Sequence, residues 1–208
     1  MSPRTKEQND VIREQRFRQI RAAAADVYLT RGTAFEIRDV ALRAGVGYGT
    51  VYHYYNNKFT LLGDLLWEAF ETARELTERS LPASAAPGMA KWEALERFAA
   101  DLLALWAREP ATFILYKMAS EKFHQLPVGA TAELQHRFEA ELFEPIAAAF
   151  AGIVASRRAE EIASLLFGSL IGCAGLALYR GSPAPDAERT SRLLLAGIKQ
   201  TASEREEN

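Results

Sequence analysis

The stretch Ile37–Lys58, IRDVALRAGVGYGTVYHYYNNK, decides the fold, because its apolar residues have the spacing of two short helices crossing around a glycine turn. Val40, Ala44, Val46, Val51 and Tyr55 fall where such helices bury side chains against each other, and Ala41 is small where they approach. Gly45 stands where the first helix must end in a left-handed conformation, which glycine takes without a Cβ clash. The second helix is expected from about Tyr48 to Tyr54, with Tyr48, Thr50, Tyr52 and His53 facing outward. Hydroxyls of this kind suit phosphate oxygens, and residues at the start of such a helix can meet base edges in the major groove of DNA. Gly47 and Gly49 flank Tyr48, so the backbone itself can approach a sugar-phosphate chain. Lys58, just after Asn56 and Asn57 near the start of the next helix, is expected to clamp a phosphate. Arg38 and Tyr54 complete the candidate DNA-binding set.

Outward from this core, residues from about Arg18 to Leu66 resemble the DNA-binding domain of the tetracycline-repressor-like (TetR) family of bacterial transcriptional regulators. The carriers are Ile20–Tyr28 as a first helix ended by Arg31-Gly32, Arg38–Ala41 in the second, and Gly45-Val46 with Thr50–Tyr52 in the turn and third. Asn57-Lys58 followed by Leu61-Leu62 completes the pattern. The resemblance implies that Thr50, Tyr52 and Lys58 contact the DNA backbone and that neighbouring third-helix positions read bases. The chain departs from the family at Glu36, where a Thr or Ser usually caps the second helix, which makes Thr33 the candidate cap. It departs again at Gly47 and Tyr48, where polar residues are commoner, and that bears on the operator sequence.

Composition fits a soluble helical protein of two parts: 208 residues, 49% of them hydrophobic, suffice for a sizeable core, and apolar positions recur at three and four throughout. The fold class expected is all-α, an N-terminal three-helix helix-turn-helix domain followed by a C-terminal helical ligand-binding and dimerisation domain. The organisation expected is a flexible arm over 1–17, the DNA-binding domain over 18–64, the helical body over 65–202 and a polar tail over 203–208. Residues 1–60 hold ten Lys or Arg against six Asp or Glu, or +4, whereas the remainder holds fifteen against twenty-one, or −6. A basic end on an acidic chain suits a local footprint on phosphates. The polar start is no secretory signal, and the single cysteine, Cys173, allows no intrachain disulfide. A reducing cytoplasm fits, and neither a metal site nor a cofactor is implied.

In the body, helices are expected to end near Ser80, to run from about Met89 to Arg108, and to restart at Pro110. The segment Pro82–Gly88 reads as a loop. Leu134, Phe138, Leu142, Ile146 and Phe150 recur every fourth residue, with Pro145 expected to kink or restart their helix. Family resemblance places a small-molecule pocket in this body, for which Trp106, Phe113, Tyr116, Met118, Phe123, His136, Phe138 and Phe167 are the candidates. Each of these aromatics is otherwise an ordinary core residue.

Ile162–Tyr179 is an uncharged run of eighteen residues, long enough for a membrane helix to be considered. Its serines and glycines favour a packing helix instead. With the helix carrying Leu193–Leu195, it resembles the pair that forms the family's four-helix dimer interface, with Gly168, Gly172, Gly175, Leu194 and Ile198 as candidates. The function expected is a homodimeric regulator, most often a repressor, that binds an inverted-repeat operator in double-stranded DNA and is released by a small-molecule effector. The alternatives are a helical small-molecule-binding protein or enzyme without DNA binding, which no catalytic constellation supports, and a membrane-associated helical protein.

Overall fold

The computed structural model describes residues 6–81, 89–127, 129 and 131–204, and every regular element among them is helical. The chain divides between Glu68 and Ala69 into two compact units, here called head and body.

The head contains α1 (Lys6–Arg31), α2 (Ile37–Ala44), α3 (Tyr48–Tyr54) and the start of α4 (Lys58–Ser80). Ile20, Ala23, Ala24, Val27 and Tyr28 recur at helical spacing along α1 and are buried. Leu61, Leu62, Leu65 and Leu66 do the same on α4, and Val40 and Val51 bring α2 and α3 into the shared core. Val46, expected in that core, is only half-buried because it lies in the turn between the helices. Gly45 is left-handed, with φ 64° and ψ 35°. Its N–H donates to Leu42 O at 3.2 Å and the N–H of Val46 donates to Ala41 O at 3.0 Å, the paired bonds of a Schellman stop.

Two expectations for the head change. The segment expected as an arm is helical from Lys6, where Lys, Glu, Gln and Arg residues favour helix without burying a face. Residues 1–5 lie outside the described residues. Thr33 does not cap α2, because it belongs to a 3₁₀ turn over Gly32–Ala34. Glu36 is the N-cap residue, and the Asp39 carboxylate accepts its backbone N–H at 2.9 Å.

The body contains the remainder of α4, α5 (Met89–Arg108), α6 (Pro110–Ser120), α7 (Ala132–Phe138), α8 (Glu144–Ala151), α9 (Ser156–Arg180) and α10 (Ala187–Glu204). Helix α10 packs along α5, α8 along α9, and α6 against both α5 and α9. Leu95, Phe98, Leu102, Trp106, Phe113 and Ile146 are wholly buried between them. The loop expected at Pro82–Gly88 lies outside the described residues, as do 205–208 of the expected tail, whereas Glu204 still belongs to α10.

Pro145 restarts its helix in a particular way. It has no N–H to give to Glu141 and its ring crowds that carbonyl. A π-helical turn, Glu139–Phe143, is inserted between α7 and α8, and α8 begins with proline in its first turn. Inserted turns of this kind often occur at functional sites.

Helix α9 is less buried than its composition predicts. Length and apolarity alone would let it cross a membrane, yet only 33% of its most apolar window is buried in the fold. Leu165, Leu176 and Tyr179 share an exposed stripe, and Leu193 of α10 is 73% exposed.

Candidate DNA-binding surface and ligand chamber

Helix α3 begins at Gly47, the N-cap residue, and is fixed by Val51, which has no exposed surface. With Val51 inward, Tyr48 and Tyr52 stand one turn apart on the outer side, their rings 4.7 Å apart. A hydrogen bond to Tyr52 pushes the Tyr48 phenol above its ordinary range. His53 and Arg38 are exposed, and Thr50 is half-exposed. A Cβ at Gly49 would meet nothing within 4 Å, and one at Gly47 would only touch Thr50 Oγ1 at 3.5 Å. The protein itself needs neither glycine for space, so their smallness is available to a molecule approaching from outside.

Two residues of the expected set have other partners. Tyr54 turns back onto α1, its ring 4.8 Å from Phe17 in an edge contact. Lys58 donates through Nζ to the Thr33 carbonyl at 2.8 Å and the Phe35 carbonyl at 3.2 Å, with a Glu36 carboxylate oxygen at 3.8 Å. Its ammonium therefore holds the 3₁₀ turn, where two carbonyls would otherwise lack donors. The α4 amides expected to await a phosphate are also engaged, since Asn57 Oδ1 accepts from both Phe59 and Thr60 N–H at 2.9 Å. Asn57 therefore caps α4 with its side chain.

Sequence reasoning also passed over the brace beneath the surface. Arg21 of α1, largely buried, donates through Nη1 to Asp64 at 3.1 Å and through Nη2 to Glu68 at 2.8 Å. Tyr55, at the end of α3, donates its hydroxyl to the same Asp64 carboxylate. Burial first, then that bond, pushes the Tyr55 phenol up. One arginine thus ties the base of the outer helix to α1 and α4, and its signal was a cation in the apolar run Ile20–Ala25.

In the body, α6, the turn after it, α7, the π-helical turn and α9 enclose a chamber of about 660 Å³ that opens to the surface. Tyr116, Phe123, Phe138, Phe143 and Phe167 form its aromatic wall. Phe143 stacks on Phe167 at 5.7 Å, and Tyr116 meets Phe138 at 5.2 Å. Lys122 and Phe123 both take φ of 51°, a region L-residues seldom occupy, and this bend brings them to the chamber. The rim carries Glu139, Glu160, Glu161 and Lys122. Partial burial, then the carboxylates of Glu144 and Glu160, push the Glu139 carboxyl up.

Of the eight expected ligand residues, Tyr116, Phe123, Phe138 and Phe167 line the chamber. Trp106, Phe113 and Met118 do not: they are core, with Trp106 edge-on to Phe113 at 5.8 Å and to Tyr116 at 5.1 Å. His136 faces solvent on α7 and is not part of the lining. Phe143 and Glu139 were missed because the π-helical turn moves them off the fourfold spacing that marks their neighbours.

Among the expected pairing residues, Gly168 and Gly172 are exposed with open space where a Cβ would stand. Gly175 instead lies against Phe113 and Tyr179, and Leu194 and Ile198 are half-buried. The apolar groups that do face outward are those of the α9 stripe and Leu193.

A convex, tyrosine-bearing helix set after a glycine turn and braced from below defines a helix-turn-helix DNA-binding protein. The model for bacterial regulatory proteins of the tetR family matches residues 20–65, from the buried face of α1 into α4. Over those residues the chain is similar to the DNA-binding domain of that family. Solved structures share the fold across most of their lengths. A gamma-butyrolactone receptor, ArpA-like, is 21% identical over 88% of this chain and 98% of its own, with a TM-score of 0.62. The MbdR regulator from Azoarcus sp. CIB is 19% identical over 87% and 95%, with a TM-score of 0.70. FadR from Bacillus subtilis, in complex with stearoyl-CoA, is 16% identical over 86% and 96%, with a TM-score of 0.61. No curated protein matches the chain significantly.

Proposed function

We propose that this chain is a cytoplasmic, non-enzymatic repressor that binds an inverted-repeat operator as a homodimer and leaves it when a small molecule fills the body chamber. The observation that carries the reading is the pairing of an outward α3 surface in one unit with an aromatic chamber in the other. Arg38, Gly47, Tyr48, Gly49, Thr50, Tyr52 and His53 form the DNA surface. Hydroxyls and Arg38 hold phosphates, and Tyr48 and His53 face base edges. Lys58 supports that surface from behind by fixing the turn before α2.

The exposed stripe of α9, with Gly168, Gly172 and Leu193, is the proposed pairing face. To read an inverted repeat, the two α3 helices of such a dimer must sit about 34 Å apart, one turn of B-DNA. Two of the similar structures are described as a gamma-butyrolactone receptor and a stearoyl-CoA complex, which supports an effector role for the chamber here.

Arg137 links the chamber wall to the body part of α4. It pairs with Glu141 of the π-helical turn at 2.6 Å and with Glu71 of α4 at 3.4 Å, lying over the Phe70 ring. A ligand that moves the π-helical turn acts on α4 through this guanidinium, and α4 runs unbroken from Lys58 to Ser80. Binding at the chamber and at DNA must then oppose each other by one coupling free energy. The test is operator affinity measured with and without compounds that bind the chamber: a fall with ligand, abolished in Arg137→Met, supports the reading. Unchanged affinity with the chamber saturated contradicts it.

A further inference from the structure

Among its described lining residues the chamber carries three carboxylates against one ammonium. Glu139, Glu160 and Glu161 stand around one opening, none with an ion pair to any described residue, and Lys122 is the single cation among the described lining residues. The rim therefore concentrates negative potential over an aromatic interior. Aromatic faces are themselves negative, so the wall and the rim favour the same sign of guest.

We propose that the chamber accepts a lipophilic cation, an amine or quaternary ammonium on an apolar, ring-containing body, with Glu139, Glu160 and Glu161 as its counter-charge. This rests on the reading of the chamber as the effector site and gives that effector a chemical class. The ring body lies among Phe138, Phe143 and Phe167, where apolar area leaves water, and the charge stays at the mouth, where the carboxylates replace part of its hydration. An acyl-CoA, carrying several negative charges, meets the same rim as a barrier. The fold shared with the stearoyl-CoA complex does not extend to a shared ligand charge.

The competing use of these carboxylates is a second copy of the chain, because Glu161 and Gly168 lie beside the exposed α9 stripe. The test separates the two. The full-length protein and its Glu139→Gln/Glu160→Gln/Glu161→Gln variant are titrated with pyronin Y, a cationic xanthene dye, with fluorescein, an anionic dye of the same ring system, and with palmitoyl-CoA. All three positions are on the rim, so the fold is retained, and circular dichroism with thermal melting verifies this. The expected result is that pyronin Y binds the unaltered protein at least about tenfold more tightly than fluorescein, and that the variant loses about tenfold or more for the cation alone.

Equal affinity for both dyes, or pyronin Y binding untouched by the substitutions, overturns the proposal. If palmitoyl-CoA binds best and releases DNA, the cation class falls while the effector reading stands. If none of the three probes binds a protein that holds DNA normally, both fall. If the substitutions shift dimer dissociation in sedimentation and leave dye affinity alone, the carboxylates serve the partner copy and the proposal fails.

Discussion

In the head, the candidate contact groups stand on the outside of a short helix: Tyr48 and Tyr52 are 52% and 42% exposed while Val51, between them in sequence, is wholly buried. In the body the candidate groups face inward, and Tyr116 or Phe138 is about as buried as Trp106, which does not line the chamber. The difference teaches where periodicity can locate a site. On a convex helix, the pattern that assigns the core also assigns the surface, so what is not core is free to meet DNA. Around a concave chamber, lining and core share one stripe, and only the packing of a neighbouring helix decides which aromatic borders a space.

The contrast can be broken most severely at Trp106. Its replacement by Ala should cost the body about 3–5 kcal/mol, the range for deleting a large buried aromatic. Phe143→Ala at the half-buried chamber wall should cost less and weaken ligand binding instead. Urea unfolding beside a dye titration checks both, and a Trp106→Ala protein of normal stability would erase the line drawn here between core and lining.

Next in size is the brace under α3. Arg21→Leu leaves Asp64 and Glu68 without their guanidinium and should destabilise the head by about 2 kcal/mol, a figure between those for buried and exposed ion pairs because the carboxylates are partly solvated. Melting of the head monitored through its tyrosines would reveal the loss, and Tyr55 should then report a less restrained environment. A head of unchanged stability would mean that the apolar core alone orients α3.

A smaller effect is expected at Lys58, where Met keeps the aliphatic stem but removes the donor to Thr33 and Phe35. Stability should fall by about 1–2 kcal/mol, as expected for carbonyls that lose a charged donor. The salt dependence of DNA affinity should change little, since the ammonium is spent within the head. A slope reduced by about one, with stability unaltered, would restore Lys58 to the role of phosphate clamp.

Much of the fold was legible before any coordinates: Gly45 in its left-handed turn, α3 over Tyr48–Tyr54, the helix end at Ser80 and the new start at Pro110 all follow from local rules of capping, glycine and proline. What was not legible depended on tertiary partners. Lys58 reads from its local sequence as a phosphate clamp, because the carbonyls that its ammonium meets belong to a turn distant in sequence. The chamber was half legible for the same reason, because the π-helical turn made by Pro145 re-aims Glu139 and Phe143 in a way that no fixed period describes.

The smallest expected effect on stability is at Gly49. Ala there meets open space, so the helix should gain up to about 1 kcal/mol from propensity alone. If α3 packs closely on a sugar-phosphate chain, the same methyl group should lower DNA affinity. A variant that is stabilised and binds DNA as before would show that the backbone at Gly49 stays clear of the duplex.

The most direct test of the central claim is selection of bound duplexes from a random DNA pool by the purified chain and by Tyr52→Ala, at one moderate salt concentration. The account expects the unaltered protein to enrich an inverted repeat whose half-site centres lie about one helical turn apart, or a multiple of it, and the variant to lose that enrichment while remaining folded. Recovery of no repeat by a folded dimer, or of the same repeat by both proteins, would contradict the assignment of the α3 surface as the reader of DNA.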